Sequence, residues 1–315
     1  MMVNSAHDAL RRVGLVGYGE VGRILAEDLR DRGIGQVAAY DIKLGTAAEA
    51  PLRAHAAAHG VALAASHTAL AAQSDLLICA VTASQTVAAA RACAAGIPSG
   101  AWFLDFNSAS PGAKQEAATL IEADGARYVE GAVMTSVPPY RIRVPLLLGG
   151  AHAAQLAPLL EALGFSPQVA SERLGVASAT KMCRSVVIKG LEAMIIESLT
   201  AARAYGVEDA VLASLTETFP GIDWQKQATY FFQRVIQHGG RRAEEMREAA
   251  RAMQEAGLTP WSAAGTAERQ SWVAGLADAG VFGTRGEAEF ARSADWRLEA
   301  DRILDGIRAS RLKSS

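Results

Sequence analysis

The chain has 315 residues, of which 50% are hydrophobic and 20% charged, with a formal net charge of −2. That length accommodates two domains with ordinary cores, the composition excludes a disordered chain, and the charge argues against nucleic acid as the main partner. No apolar run reaches the roughly 18 residues of a membrane span, and the N-terminal stretch MMVNSAHDALRR lacks the apolar core of a secretion signal, so a cytoplasmic protein without membrane contact is expected.

Short apolar runs alternate with helical patterns through the first half. RVGLVGY reads as a buried strand, followed by a helix from Glu20 to Arg32. QVAAYD, VALAAS, DLLICAV, AWFLDF and ARYVEG follow as strands, with Ala-rich helical stretches between most of them. VPLLLGG, a helix over Ala151–Leu163 and FSPQVAS close this half. Strand–helix alternation of this kind predicts an α/β doubly wound, parallel sheet. Cys79, Cys93 and Cys183 lie in apolar, periodic surroundings without CxxC or zinc-like spacing, and are expected as reduced core residues.

From Gly175 the strand signals cease, and Ala-, Leu-, Glu- and Arg-rich segments follow, broken at FPGID, HGG, AGLTP and GVFGTRG. This predicts an all-α C-terminal domain opened by a long helix, Gly175 to Tyr205, roughly 45 Å in length. A helix so long exceeds what one small domain buries, and is expected to run from one lobe to the other or into a second subunit. The domain boundaries predicted are 1–172 and 173–315. Within the long helix, Lys181, Arg184, Ser185 and Glu192 share one stripe, with Lys189 at its edge, while Met182, Cys183, Val186, Val187, Leu191 and Met194 cover the rest. Such a stripe is either a solvated face or a buried lining of a site.

The strongest local signal is GLVGYGEVG, in which Gly17, Gly19 and Gly22 form G-x-G-x-x-G between a strand and a helix, with Tyr18, Glu20 and Val21 in the intervening positions. The first glycine permits a tight turn, the second lets a pyrophosphate approach the backbone, and the third allows close helix–strand packing. The helix N-terminus favours the phosphate charge. Asp41 ends the second strand about 20 residues on, where an acid accepts hydrogen bonds from a ribose diol. A carboxylate there repels a 2′-phosphate, so NAD is expected over NADP, although Lys43 lies two residues away. Val81 and Thr82, after the fourth strand, are assigned to the same cofactor. In FLDFNSASPGAK, Ser108 or Ser110 caps a helix with Pro111 in its first turn, and Asn107 and Ser108 stand at a strand end facing the ligand crevice. Asn107 is assigned to the cofactor and Ser108 to the substrate.

These motifs together resemble the β-hydroxyacid dehydrogenase family, which includes 3-hydroxyisobutyrate and 6-phosphogluconate dehydrogenases. DFNSASP stands for the family's D-x-S-T-x-x-P, and GVASATKMCRS for its G-x-x-x-x-x-K-x-x-N-N. The likeness is nearest to a phosphogluconate dehydrogenase-like oxidoreductase subgroup with its own C-terminal helical domain, of the DUF1932 type. It implies a Rossmann domain, a helical second domain, a homodimer, no metal, an anionic small-molecule substrate, and Lys181 as general acid/base. Hydride transfer between a nicotinamide cofactor and a small hydroxy acid, or its oxo counterpart, is the activity implied. An imine reductase of the same fold and a silent dinucleotide sensor are the competing readings; family imine reductases often carry Asp or Tyr in place of the lysine.

The departures bear on the substrate. VMTS (Val133 to Ser136) replaces the family's V-S-G-G, so Thr135 and Ser136 put side chains where the family offers bare backbone. Arg184 and Ser185 replace its asparagines, and Ile188 stands where phosphogluconate dehydrogenase has a glutamate, which argues against phosphogluconate as substrate. Thr135, Ser136, Arg184 and Ser185 are assigned to substrate binding. Arg141 and Arg143 either grip an anionic group or form an outward pair on a strand. His238 reads as a helix C-cap before Gly239, and alternatively His238 and Arg242 point into the cleft.

Overall fold

A computed structural model describes residues 10–288 and 290–314. The first nine residues of the stretch read for a secretion signal lie outside them. The chain divides into two compact units, one up to Met182 and one from Cys183. Among the described residues no helix is long and apolar enough to cross a membrane.

The first unit is built on the eight strands that the apolar runs predict. They are β1 (Arg12–Val16), β2 (Gln36–Tyr40), β3 (Ala62–Leu63), β4 (Leu76–Cys79), β5 (Trp102–Asp105), β6 (Arg127–Val133), β7 (Pro145–Gly149) and β8 (Ser166–Ser171), in the order β3-β2-β1-β4-β5-β6-β7-β8. The strand order reverses between β1 and β4, which opens a ligand crevice at the C-terminal ends of these strands. One pairing departs from the expected parallel sheet: β7 runs antiparallel to β6. The segment between them carries only a 3₁₀ turn, Arg141–Arg143, and a chain without a crossover helix has to return antiparallel.

Side-chain alternation covers both faces of the sheet. Leu15, Ile78, Leu104 and Val129 pack with α1 (Glu20–Asp31), α2 (Ala50–Ala58) and, further along the chain, the helix Ala153–Ala162. Val16, Leu77, Phe103 and Tyr128 pack on the other side with α3 (His67–Ala72), α4 (Thr86–Ala94) and α5 (Pro111–Glu122). Counted in chain order, Ala153–Ala162 is α6. Cys79 and Cys93 belong to this second core, where burial pushes the Cys93 thiol up to about 12.

The helix α7 (Val176–Tyr205) has 30 residues, and the division between units falls inside it. The second unit adds α8 (Glu208–Thr218), α9 (Trp224–Glu255), α10 (Trp261–Asp278) and α11 (Trp296–Ser314) around a core that includes Ile196, Leu199, Phe232, Ile236, Val273 and Trp296. The breaks at FPGID, AGLTP and GVFGTRG fall between helices, but HGG does not. Gly239 lies inside α9, where a Cβ would stand 2.7 Å from the Gln270 carbonyl oxygen of α10. This glycine allows two helices to approach rather than ending one.

Along α7 the polarity is inverted relative to a solvated face. Ser185, Lys189 and Glu192 are buried, while Val187 is 61% and Met194 60% exposed. Cys183 is exposed with them, against the expectation of a core thiol.

Candidate active site

The fingerprint glycines do different jobs. Gly17 has a φ of 90°, and a Cβ on it would meet the Ala80 carbonyl oxygen at 2.5 Å. A Cβ on Gly22 would collide with the Gly17 carbonyl oxygen. A Cβ on Gly19 would meet nothing within 4 Å. The first and third glycines are therefore required by the protein's own packing, whereas the second leaves open space at the N-terminus of α1. Gly19 is also the N-cap of that helix, and no side chain caps it. An amide-lined opening without its own carboxylate or hydroxyl cap fits a phosphate group.

Asp41 closes the fingerprint from the end of β2. One carboxylate oxygen accepts from the Tyr18 amide at 2.8 Å and the other from the Lys43 amide at 2.9 Å. Each oxygen keeps lone-pair capacity for a diol. Tyr18 contributes through its backbone: its side chain is fully buried and its hydroxyl bonds to His55 Nδ1 at 2.9 Å. His55 Nε2 meets Glu27 at 2.8 Å, and Glu27 meets Arg141 at 2.7 Å.

That last contact decides Arg141. Its guanidinium is held by Glu27 and Asp28, and Asp28 also accepts from the Ile142 amide at 2.8 Å. Arg141 and Arg143 belong to the 3₁₀ turn rather than to a strand, and Arg141 has a φ of 53°. Its charge serves to hold this turn against α1, so neither earlier reading of Arg141 stands.

At the end of β4, the Val81 amide donates to the side-chain oxygen of Asn107 at 2.7 Å, and Asn107 Nδ2 contacts Cys79 Sγ at 3.3 Å. Asn107 is buried, so its side chain joins two crevice loops and sets the position of Val81. Thr82 is exposed and begins the 3₁₀ turn Ala83–Gln85. Beneath this loop, Asp105 accepts from the Asn107 amide at 2.9 Å, from the Tyr128 hydroxyl at 2.6 Å and from Lys114 Nζ at 2.9 Å. Burial first, and then the Asp105 charge, hold the Tyr128 hydroxyl well above its usual range, so it remains a donor. Ser110 caps α5 through the Ala113 amide, with Pro111 as the first helical residue.

Ser108 is thereby left for another partner. Its hydroxyl accepts from Lys181 Nζ at 2.6 Å. Lys181 lies in the second turn of α7, whose N-terminus is capped from a distance by Glu130 of β6. That carboxylate accepts from the amides of Gly175 at 2.8 Å, Ala177 at 3.1 Å and Ser178 at 3.2 Å. Sequence reasoning did not single out Glu130; the signal is a charge set inside an apolar strand pattern, YVEGAV. Three residues further along, β6 delivers the Val133–Ser136 turn, in which Thr135 is exposed and Ser136 half-buried.

In the second unit, Arg184 is exposed and Ser185 is buried, accepting from Lys189 Nζ at 3.2 Å. Lys189 also pairs with Glu245 at 2.7 Å. Burial lowers its affinity for the proton, and Glu245 opposes that shift. Arg242 does not reach toward a ligand: it is buried and forks onto Glu192, to which Gln270 also donates. His238 sits mid-helix in α9, not at a cap. Burial first, and then Arg234, Arg241 and Arg242, bring its pKa down to about 4.

Residues 12–170 match the model of the NAD binding domain of 6-phosphogluconate dehydrogenase, and residues 202–273 match a domain of unknown function, DUF1932. The chain belongs to the β-hydroxyacid dehydrogenase family. It is 36% identical to a conserved hypothetical protein from Sinorhizobium meliloti 1021, with 92% of this chain and 96% of that one covered and a TM-score of 0.71. A 28.5 kDa protein of Methanothermus fervidus is 26% identical over 252 residues, 79% of this chain and 93% of that protein. The 3-hydroxyisobutyrate dehydrogenase of Mycobacterium tuberculosis shares the fold at 19% identity, with 93% and 98% of the two chains covered and a TM-score of 0.67. The first unit of this family member is an NAD(P)-binding domain of the dehydrogenase and reductase type.

Proposed function

We propose that the protein transfers a hydride between nicotinamide and a small hydroxy acid, or its oxo counterpart, with Lys181 as general acid/base. The observation that carries this reading is the 2.6 Å hydrogen bond from Lys181 Nζ to Ser108 Oγ at the strand-end crevice. Since the Ser108 oxygen accepts from the ammonium, its own proton is directed elsewhere and can bind a substrate oxygen. Lys181 gives a proton to that oxygen as a carbonyl is reduced, and takes one as an alcohol is oxidised. Bound nicotinamide supplies the hydride chemistry. The chain's own contribution is to hold both partners and exchange the proton. A lysine paired with a hydroxyl supports alcohol chemistry over imine reduction, for which no proton-accepting alkoxide forms.

Gly17, Gly19 and Gly22 with the α1 N-terminus would hold the pyrophosphate, and Asp41 the adenosine ribose, which supports NAD over NADP. Thr135 and Ser136, from β6, and Arg184 and Ser185, from α7, are proposed to contact the substrate, Arg184 through a carboxylate suited to its planar fork. The exposed apolar side of α7 and the 82% exposed Trp261 support a homodimer with a mainly helical interface above about 2,000 Å². Light scattering at micromolar concentration tests the dimer. The chemistry is tested by Lys181→Met, which should leave NADH affinity intact and lower turnover on a hydroxy-acid panel by roughly 10²–10⁴-fold.

A further inference from the structure

We infer that Glu130 is the positioning residue for Lys181: its buried carboxylate fixes the start of α7, so that the lysine meets Ser108. This rests on the reading of Lys181 as the acid/base group.

Helix N-caps are normally supplied by the residue next to the helix. Here the cap comes from another element, 45 residues before Gly175. Glu130 is fully buried, and its two oxygens take the amide of Gly175, just before α7, and two amides of the first turn, those of Ala177 and Ser178. A carboxylate at that end is also favoured by the helix dipole. Lys181 follows the last capped amide, Ser178, by three residues, less than one turn. Side chains lean toward the N-terminus of their helix, so the ammonium is carried back toward the capped end. A slip or rotation of this first turn therefore moves Nζ directly.

The opposite half of the contact is fixed in the same way. Glu130 on β6 is the register partner of Asp105 on β5. Asp105 holds the Asn107 amide, Lys114 and Tyr128, and so sets the Ser108 loop. Two neighbouring buried carboxylates thus locate the two partners of one hydrogen bond. The space around Glu130 is closed: a Cβ on Gly149 would stand 3.0 Å from its Cγ and its Cδ, and nearer still to Oε1. Gly149 has room only while Glu130 stays where it is.

The test uses the full chain with its lysines reductively methylated with ¹³C-formaldehyde, the Lys181 signal being assigned by its absence in Lys181→Met. Glu130→Gln removes the charge and one acceptor. Gly149→Ala keeps the charge but pushes the carboxylate off its amides, and serves should Glu130→Gln fail to fold. In each folded variant the Lys181 signal should move toward the shift of dimethyl-lysine in the unfolded chain, with NADH affinity within about twofold of wild type. Turnover per folded enzyme should fall about 10- to 100-fold, the effect of a misplacement of about 1 Å. A cap that matters only for stability would lower the melting temperature and leave the Lys181 signal in place, and that result overturns the inference. Unchanged turnover in Lys181→Met would instead overturn the acid/base reading, whatever the signal does.

Discussion

The molecule buries charge in two regions, and treats it differently in each. In the first unit, Asp105 and Glu130 spend their oxygens chiefly on backbone amides, a tyrosine and one lysine, and the groups they hold are loop and helix starts. In the second unit, Lys189 pairs with Glu245, and Arg242 with Glu192, so side chains from different helices satisfy each other. The first arrangement locates backbone, and through it Ser108 and Lys181. The second joins α7 to α9. The contrast separates two lysines on the same helix: Lys181 donates to the Ser108 hydroxyl in the first unit, whereas Lys189 is buried against Glu245 in the second.

The comparison can be broken most forcefully in the second unit. Arg242→Met leaves Glu192 buried without its ion-pair partner, with the Gln270 amide and the more distant Lys189 charge beside it, and should cost about 3–5 kcal/mol in urea unfolding. A loss below about 1 kcal/mol would mean that this ion pair is not what joins α7 to α9. His238 gives a smaller effect with a defined sign. Its folded pKa of about 4 lies below the ordinary value of 6.5, so the unfolded chain binds the extra proton between these limits. Stability should therefore rise with pH across that window, and be lost as pH falls from 6.5 toward 4. After allowing for solvent screening the contribution is about 1–2 kcal/mol, and it should be absent from the pH–stability curve of His238→Gln.

In the first unit, Asp41→Ala should narrow or reverse the preference for NADH over NADPH by about tenfold, read by fluorescence titration. A wild type that prefers NADPH would contradict the role assigned to this carboxylate and promote Lys43. The smallest effect concerns the turn after β6. Replacing Thr135 and Ser136 together by Gly should change the substrate profile and leave NADH affinity alone; an unchanged profile would reduce the turn to packing.

What the sequence made legible follows the range of each signal. Strand periodicity, the fingerprint glycines and Asp41 are local, and all eight strands stand where the apolar runs put them. Ser110 and Pro111 start α5 as their types demand. The errors arise where a residue's partner is remote. Gly239 looks like a helix end until α10 is seen against it, and Arg141 looks like a strand residue until Asp28 takes its guanidinium. The antiparallel turn of β7 depends on the absence of a crossover helix, which strand patterns alone do not report. Glu130 escaped for the same reason: a carboxylate in a strand has no local meaning, and the first of its amides, that of Gly175, lies 45 residues later.

The central claim is that the two lysines of α7 have different work, and one pair of variants tests it. Turnover per folded enzyme should be measured for Lys181→Met and Lys189→Met side by side, with NADH affinity as the control. The account predicts a roughly 10²–10⁴-fold loss for Lys181→Met at unchanged NADH affinity. For Lys189→Met it predicts lower stability, because the buried ion pair with Glu245 is lost, with turnover little changed. The reverse pattern, with turnover lost through Lys189 and kept without Lys181, would contradict it.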